Sequence, residues 1–177
     1  MTNDQNRRAL VAEIATVATL HGQFKLRSGT ATSTYFDKYL FEAQPRILRS
    51  LGVLMTTLLP AGTQVLAGLE LGGIPLATAI SLHTGMPCVF VRKEAKAYGT
   101  EKAVEGPSID GKQTTIIEDV VTTGGAIIDA VAKLRSCGAD VDTVVCAIWR
   151  GTDLGPLRNE GLELRWAISR SELESAV

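Results

Sequence analysis

From residue 64 onward the chain repeats one pattern: a short apolar run, a turn, then a helix-forming segment. QVLAGLE (64–70), PCVFVRK (87–93), TTIIEDV (114–120) and VDTVVCAIW (141–149) read as buried strands, and ELRWAIS (163–169) as one more. Gly72 and Gly73 open a helix through IPLATAISLHTG. GGAIIDAVAKLRSCG forms another, with Ile127, Val131 and Leu134 on one face. Strands alternating with helices predict an α/β fold: a central parallel sheet flanked by helices, with right-handed crossovers. Upstream, residues 6–21 read as a helix with Leu10, Ile14 and Val17 on one face, ended by Gly22 as a cap. FKLRSGTATSTYFD (24–37) reads as extended. A helix over 45–59 starts at Pro45 and buries Ile47, Leu51, Leu54 and Leu58.

A length of 177 residues fits one domain, 1–177, able to bury a full core. Eighteen basic residues face nineteen acidic ones, a net charge of -1, whereas nucleic-acid binders carry a basic excess that neutralises phosphates. No apolar run is long enough to span a membrane, and MTNDQNRRAL has no signal-peptide core, so a cytoplasmic protein is expected. Cys88, Cys137 and Cys146 form no CxxC pair and read as reduced core thiols. With only His21 and His83, a His-rich metal site is excluded.

In an open parallel sheet, ligands bind beyond the carboxyl ends of the strands. There the run IIEDVVTTGGA (116–126) ends a buried strand in two carboxylates, Glu118 and Asp119, and enters a helix through Thr-Thr-Gly-Gly. Backbone N–H groups of such a turn, backed by the helix dipole, form an anion site. Two carboxylates beside it would repel a bare phosphate. They fit a ligand that also carries hydroxyls or Mg²⁺, as a sugar phosphate does. The alternative is an ordinary strand–turn–helix with both acids in solvent. RKEAKAYGTEKAVEGPSIDGK (92–112) breaks the regular pattern; a polar, Lys- and Gly-rich stretch of that length reads as a lid, or else as a solvated charged hairpin.

TTIIEDVVTTGGA resembles the phosphoribosyl pyrophosphate (PRPP) motif of type I phosphoribosyltransferases. The resemblance implies that Glu118 and Asp119 bond the ribose hydroxyls, while Val120, Val121, Thr122, Thr123, Gly124, Gly125 and Ala126 cradle the 5′-phosphate. VRKEAKAYG (91–99) resembles the catalytic loop of the orotate phosphoribosyltransferases, with Arg92, Lys93 and Lys96 as its cations. Such cations stabilise a departing pyrophosphate more than bound substrate. GLELGGIPLATA (68–79) resembles the pyrophosphate loop, where Gly72 and Gly73 admit close backbone approach. FKLRSGTATSTYFD resembles the N-terminal segment, which would put Tyr35 and Phe36 against the planar base and Arg27 toward PRPP. Arg150, after its strand, would grip the orotate carboxylate with two donors, near Thr122. The likeness runs from about residue 10 to 172.

Four positions depart from the family pattern. Tyr98 stands where many members have His, and a phenol with a pKa of about 10 carries no positive charge at pH 7. It leaves one hydrogen bond as a possible loop contact. Gly72 replaces a common Lys, Trp149 an expected Asp, and Arg27 a common Lys. The resemblance implies a small N-terminal hood, from about residues 1–40 and the C-terminal end. It also implies a homodimer with shared active sites, and transfer of phosphoribosyl from Mg²⁺-PRPP to orotate in pyrimidine biosynthesis. The metal would be held mainly through PRPP, with no direct protein ligand. The rivals are the same chemistry on another base and a PRPP-binding regulator of the same fold. A P-loop or dinucleotide fold is excluded, because neither GxxxxGK[ST] nor GxGxxG occurs.

Overall fold

The computed structural model describes residues 3–25, 29–94 and 102–176. Helix α1 (Asn3–Ala18) leads into a hairpin of β1 (Thr19–Lys25) and β2 (Ala31–Phe36). Two helices follow, α2 (Lys38–Glu42) and α3 (Pro45–Thr56). Then come β3 (Val65–Leu69), α4 (Gly73–Thr84), β4 (Cys88–Val91), β5 (Val104–Glu105) and β6 (Thr114–Val121). The chain continues through α5 (Gly125–Ser136), β7 (Thr143–Trp149), α6 (Gly155–Asn159), β8 (Glu163–Ser169) and α7 (Arg170–Glu174).

The main sheet has the order β5-β4-β3-β6-β7-β8, parallel throughout except for the short edge strand β5. Both faces are covered, which is why its strands are continuous apolar runs. Leu66, Ile117 and Val145 pack with α1, α3 and α4. Their neighbours Val65, Ile116 and Val144 pack on the other side with α5. This is the period-2 alternation of a strand buried on both faces. The order runs outward from β3 to β4 and from β6 to β8, so the crevice of the switch point lies at the carboxyl ends of β3 and β6.

Three features correct the sequence reading. The first helix stops at Ala18, not at 21, and Gly22 lies inside β1 at a register shift between His21 and Phe24. The buried stripe Leu10, Val11, Ile14, Ala15 and Ala18 is complete at that point, so further turns would bury nothing more, whereas pairing with β2 satisfies the backbone. The 92–112 stretch contains β5, which pairs with β4 and closes the base of the excursion through Arg92 N–H to Ala103 O at 2.8 Å. Cys137 is exposed at the end of α5, and only Cys146 is a buried thiol. The five-residue helices α2, α6 and α7 are too short to show a period.

Candidate active site

Glu118 and Asp119 end β6 inside the crevice, not in solvent. Asp119 is fully buried and Glu118 half-buried. Asp119 Oδ1 accepts the Val120 N–H at 2.6 Å, and its Oδ2 meets the Lys38 ammonium at 2.7 Å. Glu42, buried on α2, completes a group of three carboxyls and one cation. Among the described residues, Glu42 Oε1 and Glu118 Oε2 are buried, and the carboxyl that both groups face is Asp119. Burial, reinforced by the charge and hydrogen bonding of Asp119, pushes both carboxyls up to about 9. Burial also opposes ionisation of Asp119, but hydrogen bonds from Glu42 and Lys38 prevail and hold it below its ordinary value. At neutral pH the cluster is therefore one carboxylate paired with one ammonium, beside two neutral acids.

The β3–α4 loop lies directly on this cluster. A Cβ on Gly72 would strike Asp119 Oδ2 and sit 2.8 Å from Glu42 Oε1; one on Gly73 would strike the Ile117 carbonyl oxygen. Glycine at both positions lets the loop settle onto the end of β6. The Glu70–Leu71 peptide in this loop is cis. After β6, Thr122, Thr123, Gly125 and Ala126 are exposed around the start of α5. Gly124 turns with φ 81°, in the left-handed region, its Cα side facing Leu157. Open amides at a helix start form an anion cradle.

Arg92 and Lys93 stand at the root of the cation loop, which is tied down from two sides. Glu70 accepts the Lys93 N–H at 2.8 Å, and Lys133 of α5 donates to the Arg92 and Lys93 carbonyls at 3.0 and 2.7 Å. Glu70, Arg92, Lys93, Ala126, Asp129 and Lys133 line a cavity of about 120 Å³ between the loop root and the phosphate turn. Lys96, Tyr98 and Arg27 lie outside the described residues.

Two of the expected base contacts meet. The Arg150 guanidinium lies 5.0 Å from the Phe36 ring centre, and the Arg150 N–H bonds Val121 O at 2.9 Å, which sets it beside Thr122. Burial, aided by Arg170, lowers the Arg150 pKa from its ordinary value, the mark of a partly desolvated cation. Tyr35 points to the opposite side of β2, packs on Phe24 with ring centres 5.5 Å apart, and is 43% exposed. Trp149 packs toward Trp166 at 6.3 Å and against Gly151, behind Thr122. Lys38, Glu42, Glu70 and Lys133 went unread in the sequence; Glu70 lies inside the 68–79 segment but was given no role there, the other three lie in no motif, and each reaches the site through tertiary contact.

A parallel sheet with an acid pair and an anion turn at its switch point defines a phosphoribosyltransferase site. Residues 45–164 match the phosphoribosyl transferase domain family. The chain is 53% identical over 168 residues to the orotate phosphoribosyltransferase of a Nocardioides species, covering 94% of each chain. It is 43% identical over 161 residues to that of Methanocella arvoryzae, covering 89% of this chain and 91% of the relative. The orotate phosphoribosyltransferase of Mycobacterium tuberculosis H37Rv, solved with Fe(III) dicitrate, superposes with TM-score 0.86 at 30% identity, over 95% of this chain and 98% of that one. The same enzyme has been solved with PRPP, and that structure superposes with TM-score 0.81 at 26% identity over 96% and 99% of the two chains. The chain belongs to the phosphoribosyltransferase family, on its orotate phosphoribosyltransferase branch.

Proposed function

We propose that this chain transfers the 5-phosphoribosyl group from PRPP to orotate, giving orotidine 5′-monophosphate and pyrophosphate in pyrimidine biosynthesis. The observation that carries the reading is the arrangement at one crevice. The Asp119–Glu118 cluster lies beside the exposed 122–126 turn, and Arg150 lies over Phe36 at the next strand end. The acids suit ribose hydroxyls, the turn a 5′-phosphate, and a half-buried guanidinium a planar carboxylate. Orotate N1 forms its bond to ribose C1 as the C1–oxygen bond to pyrophosphate breaks, the electron pair leaving with pyrophosphate. The protein positions the two reactants and stabilises the departing charge. Arg92 and Lys93 enter as cations from a fixed root, with Lys96 further along the loop.

Mg²⁺ would supply charge neutralisation of the pyrophosphate. The ion would be held mainly by PRPP oxygens and water. A homodimer with shared sites, a hood from about residues 1–40 and the C-terminal end, and a cytoplasmic location belong to the same proposal. Among the described residues no helix is long and apolar enough to cross a membrane. The test is product formation from PRPP with orotate, adenine, hypoxanthine or uracil offered singly and in competition. Turnover of orotate alone supports the assignment. Turnover of a purine in preference to orotate overturns it.

A further inference from the structure

The site carries one cation whose charge all three buried carboxyls feel, and it comes from neither the cation loop nor the phosphate turn. Lys38 opens α2, and Asp37 fixes that helix start by accepting the Tyr39 N–H at 3.1 Å. Its stem passes the Tyr39 ring, with the ammonium 5.2 Å from the ring centre. The ammonium ends on Asp119 Oδ2, the same oxygen that a Cβ on Gly72 would strike. Lys38 therefore stands immediately beside the β3–α4 loop, at a loop position that has no side chain of its own. Its side chain is 33% exposed, while its partner is fully buried. Burial opposes its charge, but the hydrogen bond and charge of Asp119 prevail and hold the ammonium above its ordinary pKa.

We infer that Lys38 is a pyrophosphate-binding cation of this site, held by Asp119 in the free protein and passed to the pyrophosphate when ribose hydroxyls occupy Asp119. The inference rests on the phosphoribosyl-transfer reading. Asp119 Oδ1 already accepts the Val120 N–H, so a sugar hydroxyl would share Oδ2 with the ammonium and weaken its hold. A donor from the sugar competes with Lys38 there, and the displaced ammonium has an anion at the adjacent loop. Three carboxyls near a polyanion would otherwise oppose binding. The two neutral acids remove most of that opposition, and Lys38 answers the remaining charge.

The experiment is a double-mutant cycle read by calorimetric binding of Mg-pyrophosphate to wild type, Lys38→Met, Asp119→Asn and the double variant. Lys38→Arg is a charge-retaining control, and thermal melting confirms folding of each protein. If Lys38 binds pyrophosphate, adding Lys38→Met to the Asp119→Asn background weakens affinity about tenfold or more, the scale of one charge-assisted contact. Lys38→Arg should keep most of the affinity. If Lys38 merely masks Asp119, the double variant binds within about twofold of Asp119→Asn alone, and the inference fails. Orotate turnover by wild type with a flat cycle sinks only the role of Lys38. Wild-type protein that neither turns over orotate nor binds Mg-pyrophosphate sinks the functional reading as well.

Discussion

Replacing Gly73 with Ala tests how closely α4 approaches β6 beneath the candidate site. The new methyl would run into the Ile117 carbonyl oxygen, 3.3 Å from its carbon and 3.1 Å from Glu118 Oε2. That carbonyl cannot give way, because Ile117 sits inside the ladder, paired with Gly68 on one side and Val145 on the other. The helix must move instead, and it carries Leu76, Ala77 and Ile80, all fully buried. Overpacking of this kind costs about 1–3 kcal/mol, and a rigid backbone partner points to the upper end. The better helix propensity of Ala returns less than about 1 kcal/mol at a first-turn position. The net loss is about 2 kcal/mol, a fall in Tm of about 4–8 °C for a chain of this size. Gly125→Ala is the internal comparison, because nothing lies within 4 Å of its added Cβ and its φ is not positive. That variant should melt within about 2 °C of wild type or slightly above it, yet raise the KM for PRPP through the methyl in the phosphate turn. Calorimetric melting in phosphate-free buffer reads both. A Gly73→Ala protein melting within about 2 °C of wild type would refute the close approach.

Arg150→Ala should lower kcat/KM for orotate about 10- to 150-fold, the value of about 1.5–3 kcal/mol for a charged hydrogen-bonding group, with the KM for PRPP little changed. Arg150→Lys should recover only part, since a point charge cannot replace a planar fork; unchanged orotate kinetics in Arg150→Ala would remove the residue from the base site. Glu42 and Glu118, raised to about 9, hold protons in the folded state that the unfolded chain has already released. They therefore withdraw stability as pH climbs from about 5 to about 9, and Glu42→Gln should flatten that decline in Tm, whereas an unaltered slope would show that Glu42 takes no part. Glu172 runs the other way. Held down at about 2, first by the Arg7 hydrogen bond, it adds stability above its unfolded pKa that is lost as pH falls through 4.5 toward 2. With 38% of that side chain exposed, solvent screening limits the effect to about 1 kcal/mol, and Arg7→Gln should shrink the acid-limb drop to the part that the Ser169 hydrogen bonds sustain.

The parts legible in the sequence are those whose cause is local. The run 116–126 is a buried strand, an acid pair, a turn and a helix start in unbroken order, and it occupies that order in space. Gly72 and Gly73 read as a close approach, although the surface they meet, the end of β6, became evident only from the packing. Lys38 and Glu42 were illegible because a five-residue helix has no period and their partner Asp119 is distant in the chain. Lys133 reads as an ordinary solvated helix charge until β4 brings the loop root beneath it. One local signal was available and unread. Ser169 and Glu172 have capping-box spacing, and they form that box at the start of α7. Tyr35 and Phe36 look like one aromatic wall in sequence, but adjacent strand residues face opposite ways, so only Phe36 meets Arg150.

The most direct test of the central reading is the loss of orotate absorbance on mixing the protein with orotate, PRPP and Mg²⁺, with and without EDTA. Lys96→Ala runs alongside to separate chemistry from binding. The reading requires turnover that EDTA abolishes and that the variant lowers by orders of magnitude, with PRPP still bound. Folded wild-type protein that binds PRPP but leaves orotate untouched would contradict it.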